Sequence, residues 1–464
     1  MWLALLLASL PLTDWIPARW PPADVRSIEL VGKTPINCLL LEQEQWSPAF
    51  AEAARGKGIS VLGVIRPEAA ADAAVDRAWK CGLTGIAIEG AHTSGRRAAL
   101  AARARELGLE VIELPPRVQM DLSGAKPVIG TFQGVWPGVH TAKDGTAKAA
   151  PTGAPWIDTN SGFLRFVRSA TGATIWVGSL PPEGEVIPAA RYLQAIGDAA
   201  MVGARWIIAL DGDFQRRLLE RDPEAVARWE AMGEQLRFWE VHREWTLYPP
   251  AGGLAVVQDV ESGALLSGGV LDMITARHTP LRVIPPAKLA PAAVSGARMA
   301  VNVNPRSLTD EQQEALRELA RGGGTLLNAP PGWTFPPQRA EQITVDEGEI
   351  PKLDDIWRGV NGIVGRANLG VRLFNVATMR SELVADPHVG TVYLHLVNYS
   401  DYPVENVTIH PLTHYSKATL HAPGADPKDL EVFENGEIDV ERIGGCAIVV
   451  LSGPTGKITA PAGH

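Results

Sequence analysis

The sequence predicts an α/β chain: a (β/α)8 TIM barrel, then a flavodoxin-like α/β domain, then a C-terminal β-sandwich. Three observations carry this. Between about residues 37 and 214 one theme repeats eight times: a short apolar run, a turn, an Ala-rich helical stretch and another apolar run. From about 250 to 345, strand-like and helical segments alternate once more. From about 365 to 458, short β-type runs are separated by Pro, Gly, Asn and Asp.

The eight runs are "NCLLLE" (37–42), "ISVLGVI" (59–65), "TGIAIEG" (84–90), "LEVIELP" (109–115), "KPVIGTFQG" (126–134), "PWIDTN" (155–160), "ATIWVGS" (173–179) and "ARWIIALDG" (204–212). Continuous apolar strands suit a sheet covered on both faces, and an eightfold βα repeat closes most economically as a barrel over residues 30–248. "SPAFAEAARGKG" and "RRAALAARARELG" set Ala and Leu against Arg, Lys and Glu, and each ends in Gly, as a helix stop should. The alternative is an open doubly wound sheet. A G-x-G-x-x-G fingerprint is missing from the first linker and G-x-x-x-x-G-K-[ST] from the whole chain, which removes the main support for nucleotide chemistry.

The chain has 464 residues, 46% of them hydrophobic, and a net charge of -9. That length can bury several cores, and without a Lys/Arg block no stripe is available to neutralise nucleic-acid phosphates. The start, "MWLALLLASLPLTDW", has the apolar length of a signal-peptide core without a basic lead-in, so residues 1–20 are read as a leader and the protein as secreted or periplasmic. The competing reading is a buried N-terminal strand or helix. No other segment nears the roughly 18 apolar residues of a membrane span. Three cysteines, Cys38, Cys81 and Cys446, make no disulfide framework.

In a barrel the chemistry sits at the carboxyl ends of the strands. There the sequence places Glu42 and Glu44, Glu89, Glu113, Gln133 with Trp136, Asp158 with Asn160, Glu183 in "GSLPPEGE", and Asp211 with Asp213. Crowded carboxylates raise one another's pKa, so one can stay protonated while another is ionised, as glycoside hydrolysis requires. Trp46, Trp136, Trp156 and Phe163 offer ring faces to a sugar, although each could equally cap the core. Glu42, Trp46, Glu89, Gln133, Trp136, Asn160, Arg165, Asp211 and Asp213 are therefore the expected substrate-binding residues. No H-E-x-x-H and no G-x-S-x-G occurs, so neither a metal nor a cofactor is expected, and the expected ligand is an oligosaccharide or glycoside.

The second domain carries "LTDEQQEALRELARGGGTLLNAPPG", a helix running through a glycine-rich turn into a buried strand. A barrel followed by such a domain resembles multidomain glycoside hydrolases of the beta-galactosidase type, whose second domain looks like a class I glutamine amidotransferase. Residues 250–345 contain no cysteine, so the amidotransferase nucleophile is missing and a structural role, such as oligomer contact, is implied. In related retaining barrel glycosidases the acid/base ends strand four and the nucleophile ends strand seven. The resemblance thus implies Glu113 and Glu183 in these roles, although Ile112 replaces the usual preceding Asn and Glu183 lies several residues past its strand. In another barrel group an Asp ending strand six is the acid, which implies Asp158. For Asp158 and Asn160 a helix cap, and for Asp211 and Asp213 turn chemistry, remain open. The expectation is an exported glycoside hydrolase; its competitors are a carbohydrate-binding or scaffold protein that lost the acid pair, and a barrel lyase or isomerase. Asn398 and Asn406 head N-x-S/T sequons.

Overall fold

A computed structural model describes residues 10–21, 24–68, 71–139, 155–330, 343–364 and 370–454. The first nine residues, where the expected leader has its apolar core, lie outside the described residues. The chain separates into two compact units. The first comprises residues 1–134, 173–192 and 204–237, and the second comprises 135–172, 193–203 and 238–464.

The strands of the first unit are β1 (Pro17–Arg19), β2 (Cys38–Leu41), β3 (Ser60–Ile65), β4 (Gly85–Glu89), β5 (Glu110–Leu114) and β6 (Val128–Thr131). The hairpin strands β7 (Gly138–Val139) and β8 (Ile157–Asp158), which belong to the second unit, intervene before β9 (Thr174–Gly178) and β10 (Ala204–Ile207) return to the first. Strands β1 to β5 form one parallel sheet in chain order, and β10, β9 and β6 form a second. At one seam Ala18 bridges Ile208 in parallel, linking β1 to β10. At the other, the Thr131 hydroxyl donates to the carbonyl of Pro115, just past β5, at 2.7 Å. Alternate residues of these strands, among them Cys38, Leu40, Leu62, Val64, Ile112, Leu114 and Trp176, meet in one buried cluster with Trp15. Period-two alternation thus defines an inner face.

Between strands lie α1 (Ile28–Val31), α2 (Pro48–Arg55), α3 (Ala71–Lys80) and α4 (Ser94–Glu106). Ser47 and Thr93 cap α2 and α4 by accepting from backbone N–H groups three residues on. Later helices are α5 (Ser161–Ala170), α6 (Ala189–Ala200), α7 (Gly212–Leu219) and α8 (Pro223–Val241). Gly63 on β3 makes room for Trp46: a Cβ there would lie 2.5 Å from the indole.

Strand membership differs from expectation at two places. "PWIDTN" supplies no parallel strand, because Ile157 and Asp158 pair antiparallel with Val139 and Gly138. The place is taken by Pro17–Arg19, read from sequence as the tail of a leader; Trp15 and Ala18 are buried and Arg19 points to the inner face.

In the second unit, β11 (Leu254–Val257), β12 (Leu281–Ile284), β13 (Met299–Asn302) and β14 (Thr325–Asn328) form a parallel sheet ordered β12-β11-β13-β14. Its helices are α9 (Gly269–Thr275), α10 (Asp310–Arg321) and α11 (Ile350–Val364). The remaining strands are β15 (Val371–Phe374), β16 (Met379–Ala385), β17 (Val392–Asn398), β18 (Val404–Pro411), β19 (Tyr415–His421), β20 (Lys428–Leu430), β21 (Ile438–Ile443) and β22 (Cys446–Pro454). They make two antiparallel sheets, β15-β18-β21 and β16-β17-β22-β19-β20, sharing a core in which Val371, Ile409 and Val440 of one meet Leu394, Leu396 and Val449 of the other.

This unit also buries a polar network. Asp198 accepts from the backbone and side-chain N–H groups of Asn160 at 2.8 Å and from the Tyr399 hydroxyl at 2.7 Å. Asp272 accepts from Ser161 at 2.7 Å, and Arg165 pairs with Glu382 at 2.6 Å and faces Asp272 at 3.9 Å. The close approach of α5 to the start of α9 depends on glycine, since a Cβ on Gly162 would lie 2.4 Å from the carbonyl of Gly268. Burial pushes the Asp272 carboxyl up to about 6 against the opposing pull of Arg165.

Two outcomes follow from this packing. Gly63→Ala should destabilise the chain by about 1–3 kcal/mol, read from urea unfolding, because indole and strand must separate. For Asp272 the folded pKa is raised, so its contribution is fully present below about pH 4 and is lost as pH rises through about 6. Relative to wild type, Asp272→Asn should therefore gain on the order of 3 kcal/mol between about pH 4 and pH 7; a flat difference would show that Asp272 does not titrate there.

Candidate functional site

Where β1 to β4 end, the inner face presents Arg19, Glu42, Arg66 and Glu89 in turn. Each follows the inward parity of its own strand: Glu42 continues Cys38 and Leu40, Arg66 continues Leu62 and Val64, and Glu89 follows Ala87. Charge therefore alternates across four neighbouring strands. Arg19 binds both Glu42 and Glu89. Arg66 grips Glu42 through two nitrogens at 2.8 and 2.9 Å and reaches Glu89 at 3.3 Å. The Arg19 guanidinium also lies 3.9 Å from the centroid of Phe132, the residue after β6.

The cluster is graded in depth. Arg19 and Glu89 are 5% and 9% exposed at their side chains, while Arg66 and Glu42 are 34% and 30% exposed. Burial pushes the Glu89 carboxyl above its ordinary range, with Arg19 and Arg66 pulling the other way. Two buried or half-buried carboxyls, one with a raised pKa, form a group able to hold and exchange a proton. The register of β3 and β4 maintains this, since Ile65 sits opposite Ile88 and brings the next residues, Arg66 and Glu89, together.

Of the expected residues, Glu42 and Glu89 are in this cluster. Glu113 is not. It alternates with Ile112 and Leu114, which face inward, so its carboxylate turns outward to Lys126 at 2.8 Å and Arg97 at 3.8 Å. Counting from β1, the fourth strand ends at Glu89, and "LEVIELP" is the fifth. Glu183 lies exposed in the loop after β9. Trp46 is 5% exposed, donates to the Leu41 carbonyl at 3.0 Å and packs on Gly63, so it is a core residue and not a platform for a sugar. Gln133 accepts from the backbone N–H of Arg117 at 2.9 Å, tying two loops together.

Asp211 caps α7, accepting from Phe214 N–H at 2.9 Å, and also accepts from the Tyr192 hydroxyl at 2.7 Å. Asp213 is in the first turn of that helix, paired with Arg216 at 2.8 Å. The turn and cap reading describes both. In the second unit, Asp158 accepts from the Trp156 indole at 2.9 Å, and Trp136 is half-buried. Trp156 and Phe163 are core residues. Asn160 holds both backbone groups of Val135 at 2.8 Å as well as Asp198, and Arg165 is a buried ion-pair partner, so both act as structural ties. Asn398 is also buried, with its amide on the carbonyls of Tyr402 and Gly444.

Sequence reasoning missed Arg19 and Arg66. Arg66 directly follows an apolar strand and carried the same positional signal as Glu42; Arg19 was assigned to the leader. Among the described residues no group of three His, Cys, Asp or Glu is placed to hold a metal ion, and no helix is long and apolar enough to cross a membrane.

No protein-family model matches the sequence, and no curated protein matches it. Solved structures do. Alpha-L-fucosidase isoenzyme 2 from Paenibacillus thiaminolyticus aligns over 95% of this chain and 99% of its own at 12% identity, with a TM-score of 0.63. A beta-galactosidase from Rahnella sp. R3 aligns over the same shares at 10% identity, with a TM-score of 0.52. At these identities the likeness is one of fold, and the fold that this chain shares is one found in two glycoside hydrolases.

Proposed function

We propose that this chain is a glycoside hydrolase whose eight parallel strands close as a (β/α)8 barrel, with Glu89 as acid/base and Glu42 as nucleophile. The observation that carries the reading is the inward placement of both carboxyls at the strand ends, joined through shared guanidinium groups. In the first step the Glu42 carboxylate attacks the anomeric carbon while Glu89 gives its proton to the departing glycosidic oxygen. In the second, water attacks the glycosyl ester, Glu89 takes the proton of that water, and Glu42 leaves as a carboxylate. Carboxyls that share both arginines are close neighbours. A retaining pair stands about 5–5.5 Å apart and an inverting pair about 6.5–9.5 Å, so the anomeric configuration of the first-formed product, read by NMR, tests the two-step route.

The roles first implied for Glu113 and Glu183 pass to these two residues. The parallel domain after the barrel, residues 250–345, is read as a cysteine-free amidotransferase-like scaffold, and the sandwich as an accessory domain. Export, expected from the apolar start, fits an extracellular glycan substrate only with any leader ending before β1, since Arg19 belongs to the site. A second reading, a sugar-binding protein without turnover, is favoured by one observation: each carboxyl already contacts both arginines, and a catalytic carboxyl must be released from some of that pairing.

Turnover of a panel of 4-nitrophenyl glycosides separates the two. Glu89→Gln and Glu42→Gln should each lower kcat by about 100-fold or more, whereas Glu113→Gln and Glu183→Gln should retain most of it. Full activity in Glu89→Gln would remove the assignment, and ligand binding with no turnover of any glycoside would favour the second reading. Since Glu89 acts in its protonated form, kcat should fall as pH rises through its raised pKa, and the Glu89→Gln variant should lose that limb.

A further inference from the structure

The acid role of Glu89 fixes the charge of the cluster at the moment of reaction. With Glu89 protonated, Arg19 and Arg66 contribute two positive charges and Glu42 one negative. One positive charge remains without a counter-charge inside the group of four. The excess is shared by the two arginines, and Arg66, forked to Glu42 and a third exposed, is the one a ligand can reach, while Arg19 is enclosed by Glu89 and the Phe132 ring.

Release of Glu42 sets the same requirement. Arg66 holds Glu42 through a two-nitrogen fork at 2.8 and 2.9 Å, the geometry of a strong charge-assisted pair. A sugar hydroxyl replaces one such bond with a weaker neutral one. A carboxylate on the incoming sugar replaces the fork like for like, because guanidinium and carboxylate are planar and match in spacing. Binding of such a sugar would hand Arg66 from Glu42 to the ligand and leave Glu42 with Arg19 as its remaining ion-pair partner, one oxygen released to attack.

Resting on the hydrolase reading above, we propose that the sugar bound at this site is a uronic acid, with its carboxylate on Arg66. Glycosides of glucuronic or galacturonic acid are then the substrates, and neutral hexosides are poor ones. Arg66 is the residue that sets this specificity.

The test pairs binding with turnover. Sodium D-glucuronate and D-galacturonate are titrated calorimetrically against D-glucose and D-galactose, and the 4-nitrophenyl glycosides of all four are assayed, in wild type, Arg66→Met and Arg66→Lys. At least one uronate should bind about ten-fold or more tighter than its neutral counterpart, with affinity falling as salt is raised. Its glycoside should be favoured in kcat/KM by a similar factor. Arg66→Met should erase the preference and Arg66→Lys should keep part of it; since Arg66 is one-third exposed, both variants are expected to fold, which thermal unfolding checks. Equal handling of neutral and acidic sugars, or an unchanged preference in Arg66→Met, overturns the inference. Turnover of neutral glycosides alone overturns it while leaving the hydrolase standing. Uronate binding without turnover of any glycoside removes the hydrolase and keeps the acidic-sugar site, and neither binding nor turnover removes both.

Discussion

The ion pair between Arg19 and Glu89 is the constraint on which the first unit turns. Each partner sits where water scarcely reaches, and a buried charge left unpaired costs several kcal/mol. Both must therefore arrive together, which demands that β1 and β4 end at the same depth although β2 and β3 stand between them. The parallel register meets this demand: Arg19 lies opposite Leu40, Leu40 opposite Leu62, and Gly63 and Ile65 opposite Ile86 and Ile88. A slip of one residue in any of these strands would turn its charge outward and put an apolar side chain in its place.

Much of this arrangement was legible in the sequence, and the misreadings have physical causes. Seven of the eight apolar runs are parallel strands of the first unit. The remaining one, "PWIDTN", has the same composition, but its Trp156 and Asp158 bond each other at a two-residue hairpin strand, which periodicity cannot distinguish from a strand of a parallel sheet. The strand that replaces it follows an apolar start of leader-like composition, and an h-region and a core strand draw on the same residues. This single substitution moved the count by one, so the fourth strand became the fifth. Glu113 then looked like the carboxyl-end acid, although alternation with Ile112 and Leu114 already assigns it to the other face once those two are known to point inward.

In the second unit the sandwich is legible from its short β-type runs, but β16 is the least typical of them. Strand β16 carries Arg380, Ser381 and Glu382, all of them buried, and a polar triplet in the middle of a run looks like a turn. Two of the three find partners distant in sequence: Glu382 takes Arg165, and Ser381 bonds His278 at 2.8 Å. Burial pulls His278 down to about 3, so the ring stays neutral and imposes no further charge on the core. No local pattern encodes a pairing over some two hundred residues; only the folded arrangement satisfies it.

The depth gradient in the group of four also bears on why such a network persists. Were its purpose stability alone, well-packed apolar residues would serve at least as well, since buried ion pairs often lose to hydrophobic replacements of similar volume. The inner pair is sealed, with Arg19 stacked on Phe132, and holds its geometry without help from solvent. The outer pair is a third exposed and so can exchange partners at modest cost, as Arg66 gives up Glu42 to water or to a ligand. A fixed pair behind a labile one keeps Glu89 in place while Arg66 changes partner. That asymmetry, more than the number of charges, distinguishes this cluster from the sealed network around Arg165 and Asp272, where no member is open to exchange.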